Sequence, residues 1–228
     1  MKKNIEQEKA IAQLEGPVIL ISCPGSGKTT TLLRRINHML EVGIPPEKIL
    51  MITFTKAAAQ EMSVKFKKKF GEPNGITFST IHALCLKILM TYGGLSAENI
   101  IKTSDQWKFL LETARKCQSV CDPAKAAGNF QMLYSAAMNN RMSPSEVNPK
   151  DIKGISRKDF LFMSDEYRRM KERTGYIDFD DMLVKAYELM TGNPQVLRQL
   201  RERWDYIQVD EYQDVNYLQR DLVYLLAG

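Results

Sequence analysis

An α/β fold, with a parallel sheet, helices on both faces and an inserted all-helical segment, is predicted by three features of this 228-residue sequence. Short β-branched apolar runs alternate with amphipathic stretches, the pattern of strands buried on both faces and joined by helices. The glycine-rich run SCPGSGKTTTL (22–32) sits at the first such junction. From 95 to 175 the alternation gives way to helical periodicity alone.

In chain order, PVILI (17–21) predicts a buried strand that leads into the helix TTLLRRINHMLEVG. ILMITFT (49–55) leads in the same way into KAAAQEMSVKFKKKFG, and ITFSTI (76–81) into HALCLKILMTYGG. Gly43 with Pro45 and Pro46 ends one helix; Gly71, Pro73 and Gly75 break the next. SDQWKFLLETARKC and SRKDFLFMSDEYRRMKERTG then read as helices without a strand between them. Near 178 the pattern returns through DDMLVKAYELM and PQVLRQLRERW to a strand, YIQVDE. The expected division is an α/β domain from 1–88 and 178–228, interrupted by a helical subdomain at 89–177.

With 44% hydrophobic and 26% charged residues, the composition is that of a soluble globular protein. Apolar runs such as VILI are far too short to cross a bilayer. The N-terminal MKKNIEQEKAIAQLEG lacks the apolar core of a signal peptide, so a cytoplasmic location without a membrane partner is expected. Cys23, Cys85, Cys117 and Cys121 are expected as free thiols, mostly buried; no histidine lies near the last pair to complete a metal site. The net charge is +5, of which residues 89–176 hold +4. That surplus permits nucleic-acid binding without demonstrating it. The densest basic cluster, KFKKKF (65–70), taken alone reads as a solvated helix end.

The chemistry begins in the glycine run. Ser22, Cys23, Pro24, Gly25, Ser26, Gly27, Lys28 and Thr29 follow the phosphate-loop pattern G-x-x-x-x-G-K-[ST], with Ser22 in place of the first glycine. Glycines let the backbone turn tightly and aim several N–H groups at one spot; a helix N-terminus and Lys28 add positive charge. A polyphosphate is the ligand such a pocket suits. The second constellation is YIQVDEYQD (206–214), where a strand delivers Asp210 and Glu211 to the sheet edge that binds ligands in parallel α/β folds. Asp210 is placed to hold Mg²⁺, directly or through water, and Glu211 to polarise a water for attack on a γ-phosphate. An Asp-Glu pair is common on exposed surfaces; its value comes from following a strand in a chain with a phosphate loop.

These blocks, with others in the same order, resemble the N-terminal half of the UvrD/Rep/PcrA family of superfamily 1 DNA helicases. NIEQ (4–7) looks like the motif whose glutamine reads adenine, although Lys3 stands where an apolar residue is usual. SCPGSGKT matches A-G-x-G-S-G-K-T over its last five residues. TFTKAAAQEM (53–62) matches T-F-T-N-x-A-A-x-E-M with Lys56 for Asn, and TIHALC (80–85) resembles T-F-H-S-x-C. IDFDDML (177–183) and VDEYQDVNYLQ (209–219) resemble the DFDDLL and VDEYQD-x-N-x-x-Q segments.

The resemblance implies a RecA-like motor domain of an ATP-dependent DNA helicase with ATP and Mg²⁺ as cofactors. It implies that Gln7 grips the adenine edge, Lys28 the β- and γ-phosphates, and Thr29 the Mg²⁺. Gln213 would lie near the γ-phosphate, with Asp214 and Gln219 in support. Thr30, within the nucleotide site, replaces an arginine common in the family. Single-stranded DNA would meet Thr53, Phe54, Thr55 and Lys56 at the end of the second strand, and His82 after the third. The residues alone favour Phe54 as core and His82 as a capping or packing residue. The implied partners are single-stranded DNA, duplex junctions and a second motor domain not found in this sequence, with 3′ to 5′ polarity. The chain stops after a helix expected to close the first motor domain, as a cut at a domain boundary would leave it. A regulatory nucleotide-binding module without unwinding activity, or the motor part of a helicase–nuclease, are the alternatives.

Overall fold

The computed structural model describes residues 5–23, 25–148, 150, 152 and 154–228, and it divides into two compact units. The first comprises residues through Ala83, Leu197–Val215 and Leu226–Gly228; the second comprises Leu84–Val196 and Asn216–Leu225.

A three-stranded parallel sheet, in the order β2-β1-β3, centres the first unit. β1 is Ile49–Thr53, β2 is Thr77–Thr80 and β3 is Tyr206–Val209. All five β1 residues are buried, as its central place and unbroken apolar run require. Thr53 stands opposite Thr80 and Ile52 opposite Val209, so the three strands deliver their following residues to one edge. Helices α1 (Ile5–Ala12), α2 (Lys28–Glu41) and α3 (Lys56–Phe70) surround the sheet. Leu33, Ile36 and Met39 from α2 meet Met62 and Phe66 from α3 and Ile49 and Met51 from β1 in one core. Thr55 caps α3 by accepting from Ala58 N, and Gly71 ends it.

One expected strand is missing. PVILI forms no ladder, and Ile19 and Ile21 are 84% and 92% exposed. Val18 and Leu20 are half-buried, so only one face of the run is covered. Apolar content made it look like a strand buried on both sides, but a strand exists only where a neighbour completes its hydrogen bonds. β1 pairs with β2 on one side and with β3 on the other, and this run joins neither outer edge of that sheet.

α4 (Ile81–Tyr92) starts in the first unit and continues in the second, which also holds α5 (Thr103–Ala114), α6 (Pro123–Asn139), α7 (Arg157–Thr174) and α8 (Phe179–Gly192). α9 (Pro194–Arg203) and α10 (Tyr217–Ala227) complete the chain. The helix boundaries have local causes. Asp122 caps α6 with Pro123 as its first residue, Ser156 caps α7, and Gly175 closes α7 at φ 71°. Cys117 and Cys121 both precede the Asp122 cap, in the turns between α5 and α6. Cys85 and Cys117 are buried, whereas Cys23 and Cys121 are exposed. Phe130, Tyr134, Phe160 and Tyr167 cluster at the centre of this unit's core.

No helix among the described residues is long and apolar enough to cross a membrane.

Candidate nucleotide and nucleic-acid site

Gly25 and Gly27 adopt φ values of 77° and 93°, which L side chains rarely reach, and this lets the phosphate loop bend into the start of α2. Gly27 is the N-cap residue and Lys28 the first helical residue. Ser26 N donates to Cys23 O at 3.2 Å, closing the loop, and the Thr31 amide and hydroxyl both bond Gly27 O. Thr29 is half-buried and Thr30 exposed. Ser22 Oγ is buried without a hydrogen-bond partner among the described residues. Pro24, Lys3 and Asn4, singled out from the sequence, lie outside the described residues.

Gln7 reaches this loop from α1. Its Nε2 donates to Ser26 O at 2.9 Å and lies 3.7 Å from where a Cβ on Gly27 would stand. α1 is held to α2 by Arg34 and Glu8 at 2.8 Å and by Arg35, which donates to the carbonyls of Ala10 and Gln13. The adenine-reading candidate and the phosphate loop are therefore neighbours.

The carboxylates arrive from the other end of the chain. Asp210 N donates to Ile52 O at 2.9 Å, extending the ladder one residue past β3. Glu211 then turns at φ 51°, and this lifts its side chain out of the strand direction. Lys28 Nζ donates to Glu211 Oε2 at 2.7 Å, and Gln213 Nε2 donates to the same oxygen at 2.6 Å. The Lys28 hydrogen bond, followed by that of Gln213, holds the Glu211 carboxyl below its ordinary range, and the same contact raises Lys28. Burial, and then the neighbouring Glu211 charge, push the Asp210 carboxyl up.

Asp210 Oδ1 is buried without a hydrogen-bond partner among the described residues, and such an orphaned anionic oxygen suits a cation. No cluster of three or more His, Cys, Asp or Glu side chains capable of holding a metal occurs among the described residues. That donor set fits Mg²⁺ bound to nucleotide, which takes few protein ligands and completes its shell with phosphate oxygens and water.

The DNA candidates emerge at the same edge of the sheet, after β1 and β2. Phe54 is 59% exposed, which overturns its reading as core. Lys56 is exposed at the start of α3. Thr53 is only 2% exposed and its hydroxyl donates to Thr55 O, while Thr55 Oγ1 caps α3. Both hydroxyls thus have partners in the fold, and the outward groups are the Phe54 ring and the Lys56 ammonium. His82 is half-buried at the start of α4, and burial lowers its pKa.

In the second unit, the carboxylates of IDFDDML serve the fold. Asp178 and Asp181 form a capping box on α8 and both pair with buried Lys171, at 3.1 and 2.8 Å. Burial opposes the Lys171 charge, but the two carboxylates overcome it and raise its pKa. Tyr167 donates to Asp178 at 2.8 Å, and its ring lies 4.5 Å from Lys171 Nζ. Asp180 accepts from Ser135 and from Asn139, whose Oδ1 accepts from Asn216 Nδ2 at 3.0 Å. Asn216 and Gln219 bond each other's backbone amides at the start of α10. Sequence reasoning missed Lys171 and Asn139: each lies in an ordinary helical pattern, and only long-range pairing marks it.

A family model described as UvrD/REP helicase N-terminal domain matches residues 3–228. The chain is 33% identical over 234 residues to a putative ATP-dependent DNA helicase, YjcD, of Bacillus subtilis, covering 99% of this chain and 30% of that protein. It is 32% identical over 231 residues to the ATP-dependent DNA helicase PcrA of Staphylococcus aureus, covering 99% of this chain and 31% of that protein. The PcrA of Staphylococcus epidermidis matches to the same extent. The chain spans about 30% of the length of these curated relatives.

Proposed function

The chain belongs to the UvrD/REP helicase N-terminal domain family, and on that premise we propose that it binds Mg-ATP and single-stranded DNA as the first motor domain of a DNA helicase. Hydrolysis would drive 3′ to 5′ translocation and unwinding of duplex junctions together with a second motor domain. In this reading the first compact unit is the motor, and the helical core of the second is the inserted subdomain.

The observation that carries the reading is the meeting of Lys28, Glu211 and Gln213 at 2.6–2.7 Å, on segments far apart in sequence. A lysine beside a phosphate loop, a carboxylate able to orient water and an amide able to sense the γ-phosphate are the parts phosphoryl transfer needs. In the ATP-bound state Lys28 would exchange Glu211 for phosphate oxygens, leaving the carboxylate to accept a proton from the attacking water. Thr29 and Asp210 would hold Mg²⁺, which supplies charge neutralisation across the β- and γ-phosphates. Gln7, bonded to the loop, would face the adenine. Phe54 would stack on a base and Lys56 would meet a phosphate.

The test is titration of the 228-residue chain with a fluorescent ADP analogue and Mg²⁺, followed by a labelled oligothymidine. Saturable binding of both ligands, with ATP competing better than GTP for the first, is expected. Failure to bind nucleotide overturns the reading.

A further inference from the structure

The KFKKKF run lines a space that its pattern alone did not suggest. Lys65, Lys68 and Lys69 are spaced to share one face of α3, while Lys67 pairs with Glu72 at 2.5 Å. The three lysines line a cavity of about 390 Å³ whose other lining residues are Thr29, Thr30 and Leu33 of α2. No carboxylate lines it. Lys65 is balanced by Glu61 at 2.6 Å, but Lys68 and Lys69 have no acidic partner among the described residues. Like charges three and four residues apart repel along a helix, and here the charges of Lys68 and Lys69 border an open space with no acid in its lining.

We propose that this cavity is a phosphate-binding subsite beside the phosphate loop. Its lining offers ammonium donors and two threonine hydroxyls over an apolar floor, with no anionic acceptor. Such a set of ammonium groups suits a compact, multiply charged anion. Thr29 belongs both to the cavity lining and to the phosphate loop. The phosphate belongs either to the tail of a nucleotide on the loop or to free inorganic phosphate. The first source rests on the nucleotide reading above; the second does not.

The test compares the 228-residue chain with a Lys65→Gln/Lys68→Gln/Lys69→Gln variant. A Lys125→Gln/Lys158→Gln/Lys185→Gln variant removes equal charge elsewhere. Glutamine matches lysine closely in helix propensity, and the three cavity lysines are exposed, so the variants should fold; circular dichroism checks this. Two probes are used: a fluorescent ADP analogue with Mg²⁺, and inorganic phosphate followed by ³¹P line broadening. The expected result is about a tenfold loss of analogue affinity, a loss of phosphate broadening, or both, in the cavity variant only. Loss of analogue affinity points to the nucleotide tail, and loss of broadening alone to free phosphate. If the wild-type chain binds no analogue but broadens phosphate through these lysines, the nucleotide reading fails and the subsite stands. If neither probe responds to the cavity lysines, or the control variant has the same effect, the subsite is overturned.

Discussion

Lys28 and Glu211 stand 183 residues apart in sequence, yet Lys28 Nζ lies 2.7 Å from Glu211 Oε2. The ion pair joins the phosphate loop to the segment after β3, so the cation that would bind phosphate is held by the carboxylate that would activate water. The pair is partly exposed, with side-chain accessibilities of 27% and 41%, and its contribution to stability is correspondingly small. Its value is positional.

Lys28→Ala should weaken Mg-nucleotide binding by about tenfold or more, because a charge that contacts phosphate is removed. Glu211→Gln should leave affinity equal to or tighter than wild type, because it releases Lys28 from a competitor. Calorimetry on the two variants checks this; an equal loss in both would make Glu211 a structural residue.

Nucleotide affinity should be flat between about pH 7.5 and about pH 9. Glu211 is depressed by its bonds from Lys28 and Gln213, so its share of the pair is present above the ordinary carboxylate pKa and lost only as pH falls through the folded value. Lys28 is raised, so its share is lost only as pH climbs through a value above 10.5. Neither boundary falls inside the window. A titration step within it would identify another group at the site.

Cys23 and Cys121 should react rapidly with Ellman's reagent at neutral pH, and Cys85 and Cys117 only after unfolding. Burial pushes the Cys85 and Cys117 thiols up to about 12 and about 11, which removes the reactive thiolate. Mg-ADP should protect Cys23, which lies in the phosphate loop, and leave Cys121 unaffected. Mass spectrometry of the labelled protein resolves the two sites.

Phe54→Ala should lower oligothymidine affinity by about 1–3 kcal/mol with the salt slope nearly unchanged. Lys56→Ala should reduce the slope of log K against log salt by about 0.7. Because Phe54 is exposed, its truncation should cost the fold little, and a melting curve checks that. Wild-type affinity of a folded Phe54→Ala chain at every salt concentration would remove the ring from the DNA path.

Lys171→Ala should destabilise the protein by about 3–5 kcal/mol, the usual consequence of leaving buried carboxylates without their cation. Asp178 and Asp181 would face each other uncompensated, and Tyr167 would lose the charge above its ring. Urea unfolding measures the loss. A change below about 1 kcal/mol would mean that water or another group reaches the cluster.

Local rules carried much of the fold and of the site. The segments of α2 to α5 and of α7 to α9 were readable from apolar periodicity, and the caps at Thr55, Ser156 and Asp178 fix their starts locally, because capping and amphipathicity are settled among near neighbours. The glycines of the phosphate loop were readable for the same reason: their positive φ values serve a turn encoded within a few residues. What failed depended on remote partners. PVILI has the composition of a buried strand, but strand formation needs a ladder, and this run pairs with neither edge strand of the β2-β1-β3 sheet. Phe54 follows a buried strand yet points outward, since the chain leaves the sheet at Thr53.

The sequence by itself determined which chemical groups this protein carries and the periodicities that place them at helix starts and strand ends, because both are properties of adjacent residues. Only the tertiary structure decided that Lys28 meets Glu211, that Lys171 is enclosed by Asp178 and Asp181, and that three lysines of α3 face Thr29 and Thr30 across a cavity. Those pairings rest on how helices and strands distant in the chain pack together. No local pattern encodes them, since a salt bridge or a cavity is a relation between surfaces that exists only after the core has closed.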